Sequence, residues 1–298
     1  MTMSISRLTN RIWYTHPVEA GDRPTLGLVA GSNASILIDG GNSPAHVHEL
    51  LQYANDLNIS PIKALCLTHW HWDHTFGAES TKLPVIAYSK TKEKLDWMRL
   101  QSWTDEDIAA RVEQGTEMEF CRQNILIEWP QNDRNIKIPH PTITFSDSIE
   151  LDLGEINAEI LPIESDHTSD CCIVFIKQEK TVFLGDCLYL NMDSEPWFRT
   201  AKNTRAMLKK LIDLNADWYI PAHHEIYSGE GFRKFAFELL MMCDAAEDAY
   251  SLFDAEENMK KLIFKELSDD QRQGLKEFIN AKERARPKIC VNLHDGAK

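Results

Sequence analysis

The chain has 298 residues, with 46 acidic against 32 basic side chains and a formal charge of −14 at pH 7. Its content of 43% hydrophobic and 26% charged residues is that of an ordinary globular protein and excludes disorder or collagen-like repetition. So acidic a chain offers no broad positive field to release counterions, which argues against long nucleic acids as partners.

Short apolar runs alternate with helical patterns along the chain. Residues 11–16, 24–30 and 34–39 read as strands, the last closing at Gly40-Gly41. A helix follows, with Ser43 placed to cap it, Pro44 at its first position and an apolar stripe of Val47, Leu50, Leu51, Ala54 and Leu57. Residues 62–67 form a continuous apolar run, as in a strand buried on both faces. From Ser89 to about Asn124 the pattern is helical, and Thr104 and Asp107 are spaced like a capping box. Residues 142–162, 171–176 and 181–185 return to strand patterns. A helix over 201–214 leads to the strand 218–221, and residues 231 to about 285 read as a helical tail. No internal repeat or Gly/Ser/Pro-rich linker divides the chain, so one domain over 1–298 is expected.

No apolar run approaches the roughly 20 residues that span a bilayer, and the N-terminus lacks the order of a secretory signal. The seven cysteines, Cys66, Cys121, Cys171, Cys172, Cys187, Cys243 and Cys290, are odd in number and mostly lie inside apolar runs. Free thiols in a reducing compartment fit them better than a disulfide framework, so a cytoplasmic location with no membrane contact is expected.

The chemistry is carried by His69-Trp70-His71-Trp72-Asp73-His74, a His-x-His-x-Asp-His block. Three imidazoles and a carboxylate within six residues are costly to bury unless a cation pairs them. His167, Asp186 and His223 each lie just beyond the C-terminal end of a predicted strand, where α/β folds gather their sites. Seven donors exceed the needs of one tetrahedral zinc, and no Cys-x-x-Cys pair marks a closed structural site. Two metals about 3.5–4 Å apart account for the number.

In these motifs the chain resembles a metallo-β-lactamase-fold hydrolase. Ile38-Asp39-Gly40-Gly41 is similar to that family's early strand and turn, and the His block, His167-Thr168, Gly185-Asp186 and Pro221-Ala222-His223 follow in family order. The resemblance spans residues 24–224 and implies a four-layer αβ/βα sandwich, here with a helical insertion at 89–124 and a helical C-terminal tail. It implies that His69, His71 and His167 hold one metal, that Asp73, His74 and His223 hold the second, and that Asp186 bridges them. His224 is an alternative to His223. The resemblance favours two zinc ions, although Fe and Mn accept the same donors. Asp166-His167-Thr168-Ser169-Asp170 and Pro221-Ala222-His223-His224 depart from the usual Gly-His-Thr-Pro-Gly and Pro-Gly-His-Gly, so no subfamily's substrate is carried over.

Such a centre acidifies water toward pKa ~7, and the hydroxide attacks a carbonyl or phosphorus without any Ser or Cys nucleophile. Asp73 and Asp186 are the catalytic candidates, with Asp73 also placed to orient the hydroxide. Asp39 is a candidate acceptor for a ligand imidazole N–H, or else an ordinary turn residue. Tyr189, three residues after Asp186, matches the spacing in acyl-homoserine lactone lactonases, which implies a hydrogen bond to the substrate carbonyl; a packed tyrosine is the alternative. Arg23 is a candidate for binding a substrate carboxylate, against a solvated turn pair. The insertion, with Trp97, Met98, Trp103, Met118 and Phe120, is either a lid or a buried helical pair. The expected function is hydrolysis of a small lactone, ester or thioester. The alternatives are a phosphodiesterase of the same fold and a metal-binding regulatory protein with little turnover. A homodimer is compatible with the helical tail.

Overall fold

The computed structural model describes residues 4–131, 134–193 and 195–285; Cys290 lies outside them. In chain order the elements begin with strands β1 (Ile5–Arg7), β2 (Ile12–Thr15), β3 (Gly27–Ala30) and β4 (Ser35–Ile38), then helix α1 (Pro44–Asn55) and β5 (Ile62–Cys66). They continue with α2 (Trp72–Thr75), β6 (Val85–Tyr88), α3 (Ser89–Met98), α4 (Asp105–Glu113) and α5 (Glu119–Glu128). Next come β7 (Ile143–Phe145), β8 (Ile149–Asp152), β9 (Asn157–Pro162), β10 (Cys172–Ile176), β11 (Thr181–Gly185), α6 (Ala201–Asp213), β12 (Trp218–Pro221) and β13 (Tyr227–Ser228). The described chain ends with α7 (Gly229–Glu247), α8 (Leu252–Ile263) and α9 (Asp269–Ala285).

Two sheets form from these strands, β1 to β7 in sequence order and β13-β12-β11-β10-β9-β8. Alternation along each strand sends side chains to two different cores. In β4, Ile36 and Ile38 meet Val174, Ile176 and Phe183 between the sheets. Leu37 points the other way, toward Val47 and Leu50 of α1 and the apolar side chains of α3–α5. Ile173 and Phe175 of β10 turn outward onto α6–α9, where Leu208, Phe232, Met259 and Phe278 close the third core. Three apolar cores between helices, sheet, sheet and helices make the four layers expected from the sequence, and they explain why the central strands read as continuous apolar runs.

Ser43 accepts from the His46 amide and Thr104 from the Asp107 amide, as their spacing predicted. The helical stretch at 89–124 is three helices broken before Thr104 and at Gly115, and it runs on to Glu128. Strands β1, β6 and β13 add to the predicted set. β6 leaves no boundary signal in the sequence because α3 starts at the very next residue, with no glycine or proline between them and no side-chain cap at Tyr88. Cys66, Cys121, Cys171, Cys172, Cys187 and Cys243 are unpaired. No helix among the described residues is long and apolar enough to cross a membrane.

Candidate metal centre

Topology brings the donors to one edge. β9 and β11 both pair antiparallel with β10, and β12 runs parallel to β11, so the loops bearing His167, Asp186 and His223 leave the sheet at the same end. The facing sheet contributes the segment after β5, where His69 and His71 precede the single turn α2 that carries Asp73 and His74. Gly185 has φ +51°, and a Cβ there would sit 2.6 Å from Thr68 Oγ1. Only glycine lets the end of β11 approach the His block so closely and still turn Asp186 inward.

Within the centre, His69, His71, His167 and Asp186 bring one donor atom each within 4.8 Å of one another, and so do Asp73, His74, Asp186 and His223. Asp186 belongs to both groups. Its Oδ2 lies 3.7 Å from His69 Nε2, 3.3 Å from His167 Nε2 and 3.6 Å from His223 Nε2, while Oδ1 lies 3.5 Å from His74 Nε2. Asp73 Oδ2 is 3.1 Å from both His74 Nε2 and His223 Nε2. His71 Nδ1 and His167 Nε2 point at each other across 2.8 Å. His69 Nε2, His74 Nε2 and Asp186 Oδ1 are buried without a hydrogen-bond partner. Buried polar atoms converging without partners fit a cation between them, and the imidazole and carboxylate donors suit a transition metal.

Outside the donor ring, neighbours fix four of the five imidazoles. His74 Nδ1 donates to Asp39 Oδ2 at 2.8 Å, and Asp39 also accepts from Thr68 N and Thr68 Oγ1, both at 2.8 Å. Thr68 Oγ1 in turn lies 3.1 Å from His69 Nδ1. The Leu190 carbonyl is 3.3 Å from His167 Nδ1, and Asp22 Oδ1 is 3.3 Å from His223 Nδ1. Each contact leaves the opposite nitrogen turned inward, as in metal sites whose ligands are oriented by a carboxylate or carbonyl.

Charge divides the histidines into two kinds. Burial and the neighbouring imidazoles His74 and His71 hold His69 well below the usual histidine range, and burial with His167 lowers His71 to about 3. Burial also opposes protonation of His74 and His223. There the carboxylates of Asp73 and Asp186, joined at His74 by Asp39, outweigh it and raise both well above 6.5. Burial raises Asp22 to about 7, with Asp73 adding to the effect.

Tyr189 stands over the centre, its ring 5.9 Å from both His167 and His223, and its buried hydroxyl has no hydrogen-bond partner. His224 is exposed and lies outside both donor groups, with its ring 5.3 Å from Tyr189. Arg23 corrects the expectation made for it. Its guanidinium is held by Glu49 at 2.9 Å and Glu128 at 2.7 Å, and it does not line the cavity. The turn at Gly21-Asp22, both with positive φ, presents Asp22 to His223 instead. The Asp22-Arg23 pair was visible in the sequence, but which of the two faces inward depends on that turn. Cys187, beside Asp186, is buried with its thiol pushed up by burial, as for an inert packed residue.

A cavity of about 670 Å3 opens above the centre and is walled by the insertion through Trp97, Met98, Met118 and Phe120. Its floor includes Trp70, whose indole N–H donates to Thr168 Oγ1 at 3.2 Å; that hydroxyl donates to Asp170 Oδ1 at 2.7 Å. Asp170, one of the departures noted in the sequence, thus anchors the indole next to His71. Asp166, another departure, accepts from Thr200 N at 2.6 Å and Asn203 Nδ2 at 2.6 Å at the start of α6.

Residues 22–223 match the family model of the Metallo-beta-lactamase superfamily. Among solved structures, a metallo-beta-lactamase from Pontibacter korlensis aligns at 16% identity and a TM-score of 0.53, covering 79% of this chain and 97% of its own. The inverting sec-alkylsulfatase Pisa1 from Pseudomonas sp. aligns at 15% identity and a TM-score of 0.63, covering 98% of this chain and 52% of its own. The DIM-1 metallo-beta-lactamase aligns at 14% identity and a TM-score of 0.51, over 80% of this chain and 96% of its own. At these identities the likeness to each is one of fold.

Proposed function

Since the chain belongs to the metallo-beta-lactamase superfamily and is a hydrolase, we propose that it uses two metal ions, zinc by preference, to cleave a lactone, ester or thioester. The observation that carries this reading is the membership of Asp186 in both donor groups, which suits a carboxylate bridging two cations. His69, His71 and His167 would hold the first metal, Asp73, His74 and His223 the second. Bound there, the metals supply Lewis acidity and acidified water at neutral pH.

The chain's own residues supply the rest. Asp39, Asp22 and the Leu190 carbonyl hold the Nδ1 protons of His74, His223 and His167, which keeps each Nε2 facing inward. Asp73 Oδ2, between His74 and His223, is placed to accept a proton given up inside the centre. The Tyr189 hydroxyl, buried and without a partner, donates to the substrate oxygen on which charge develops. Burial holds that phenol well above its usual range, so it keeps its proton at neutral pH.

The test is a panel of lactones, 4-nitrophenyl esters and thioesters against an activated phosphodiester and an alkyl sulfate, using zinc-loaded protein. The sulfate is included because the alkylsulfatase match extends over nearly the whole chain. Turnover confined to the carbonyl substrates, and lower by about a hundredfold or more in Asp186→Asn, is expected. Turnover of the phosphodiester or the sulfate alone would overturn the carbonyl assignment.

A further inference from the structure

The charged groups lining the cavity are unevenly placed. Asp22, Asp73, Glu117, Asp186 and Asp193 are acidic, and Lys94 is the one lysine or arginine among the described lining residues. No carboxylate lies within ion-pair distance of Lys94 among those residues. Its ammonium instead stands 5.4 Å from the Trp70 ring centroid, and that indole is 4.8 Å from the imidazole of His71. A cation is therefore held one indole away from a metal-ligand residue. Trp97 lies three residues further along α3, on the same helix face, and meets Trp70 edge to face at 5.9 Å. Met118 and Phe120 also line the cavity. Trp97 and Phe120 remain 42% and 50% exposed, a large apolar surface left wet beside a reactive centre unless a ligand covers it.

We propose that the cavity takes an anionic amphiphile, with its reactive group at the His/Asp centre, its apolar body along Trp97, Met118 and Phe120, and its acidic end against Lys94. A cavity of about 670 Å3 has room for such a molecule and is too large for a two- or three-carbon substrate to fill. Only the identity of the reactive group rests on the carbonyl-hydrolase reading; the apolar body and the acidic end rest on the walls alone.

Two measurements test the inference. With metal-loaded protein, kcat/KM is compared for 4-nitrophenyl esters of straight-chain acids of four to ten carbons, each with and without a terminal carboxylate. The expected result is a rise of about threefold per methylene until the wall is covered. The carboxylate-tipped ester should exceed the neutral one, and that ratio should fall about fivefold in Lys94→Met. Trp97→Ala and Phe120→Ala should flatten the chain-length slope. Independently of turnover, octanedioate, octanoate and acetate are titrated against the intrinsic tryptophan fluorescence, and binding is expected in that descending order. That order in the absence of ester turnover would retain the amphiphile site and remove the ester branch of the carbonyl assignment. No dependence on chain length in either measurement, or an unchanged ratio in Lys94→Met, would overturn the inference.

Discussion

Asp39 shows how much one side chain does at this centre. It sits at φ +63°, a backbone state tolerated by Asp and costly for most residues, and from there its carboxylate takes three hydrogen bonds from Thr68 and His74. Asp39→Asn is expected to weaken metal binding by about 10–100-fold while leaving the fold intact, as read by chelator competition and circular dichroism. The protonation pattern gives a second expectation. In the metal-free protein the carboxylates keep His74 and His223 protonated above the ordinary histidine range, whereas His69 and His71 are already neutral. A metal must displace the first kind of proton, so affinity falls as pH falls, and binding at pH 7 releases protons. Calorimetry in two buffers of different ionisation heat counts them; zero released would contradict the pattern. His46 acts on stability instead. It is fully buried, both ring nitrogens lack partners, and burial lowers it to about 3. The unfolded chain binds this proton near pH 6.5 and the folded chain does not, so the contribution of His46 to stability is level above 6.5 and declines as pH drops toward 3. A shallower acid limb in the urea stability profile of His46→Leu is the expected sign.

At the scale of elements, the loops after β9, β11 and β12 hold the donors, and what fixes the loops is local. Asp166 ties the His167 loop to the start of α6 through Thr200 and Asn203. Asp166→Ala should therefore destabilise the protein by about 1–3 kcal/mol in urea unfolding, since it leaves part-buried donors without an acceptor. The strand ends that carry Asp186 and His223 were legible in the sequence because β11 and β12 are buried on both faces and read as continuous apolar runs, while β9 before His167 showed as an alternating one. The inward choice of Asp22 over Arg23 was not, because a two-residue positive-φ turn sets it and Glu49 and Glu128, distant in sequence, claim the arginine. Likewise Asp166 and Asp170 stood out as departures, but the link of Asp166 to 200–203, and that of Asp170 through Thr168 to Trp70, appear only once the chain is folded. β6 was hidden for a simpler reason: no glycine or proline separates it from α3.

For the whole molecule, the donors come from both sheets. His69, His71, Asp73 and His74 follow β5, while His167, Asp186 and His223 follow β9, β11 and β12. Metal ions bound between them would join the two halves of the sandwich, so metal loading should stabilise folding by about 2.7 kcal/mol at a hundred times Kd, and a chelator should reverse it. Differential scanning calorimetry at matched ionic strength reads that shift, with salt held constant because a chain of charge −14 is sensitive to screening. The most direct measurement is the number of metal ions bound per chain after loading and gel filtration, in the wild type, His167→Ala and His223→Ala. Two equivalents in the wild type and about one in each variant are predicted, because each substitution damages one donor group and leaves Asp186 to the other. One equivalent or fewer in the wild type would contradict the two-metal centre on which the proposed hydrolysis depends.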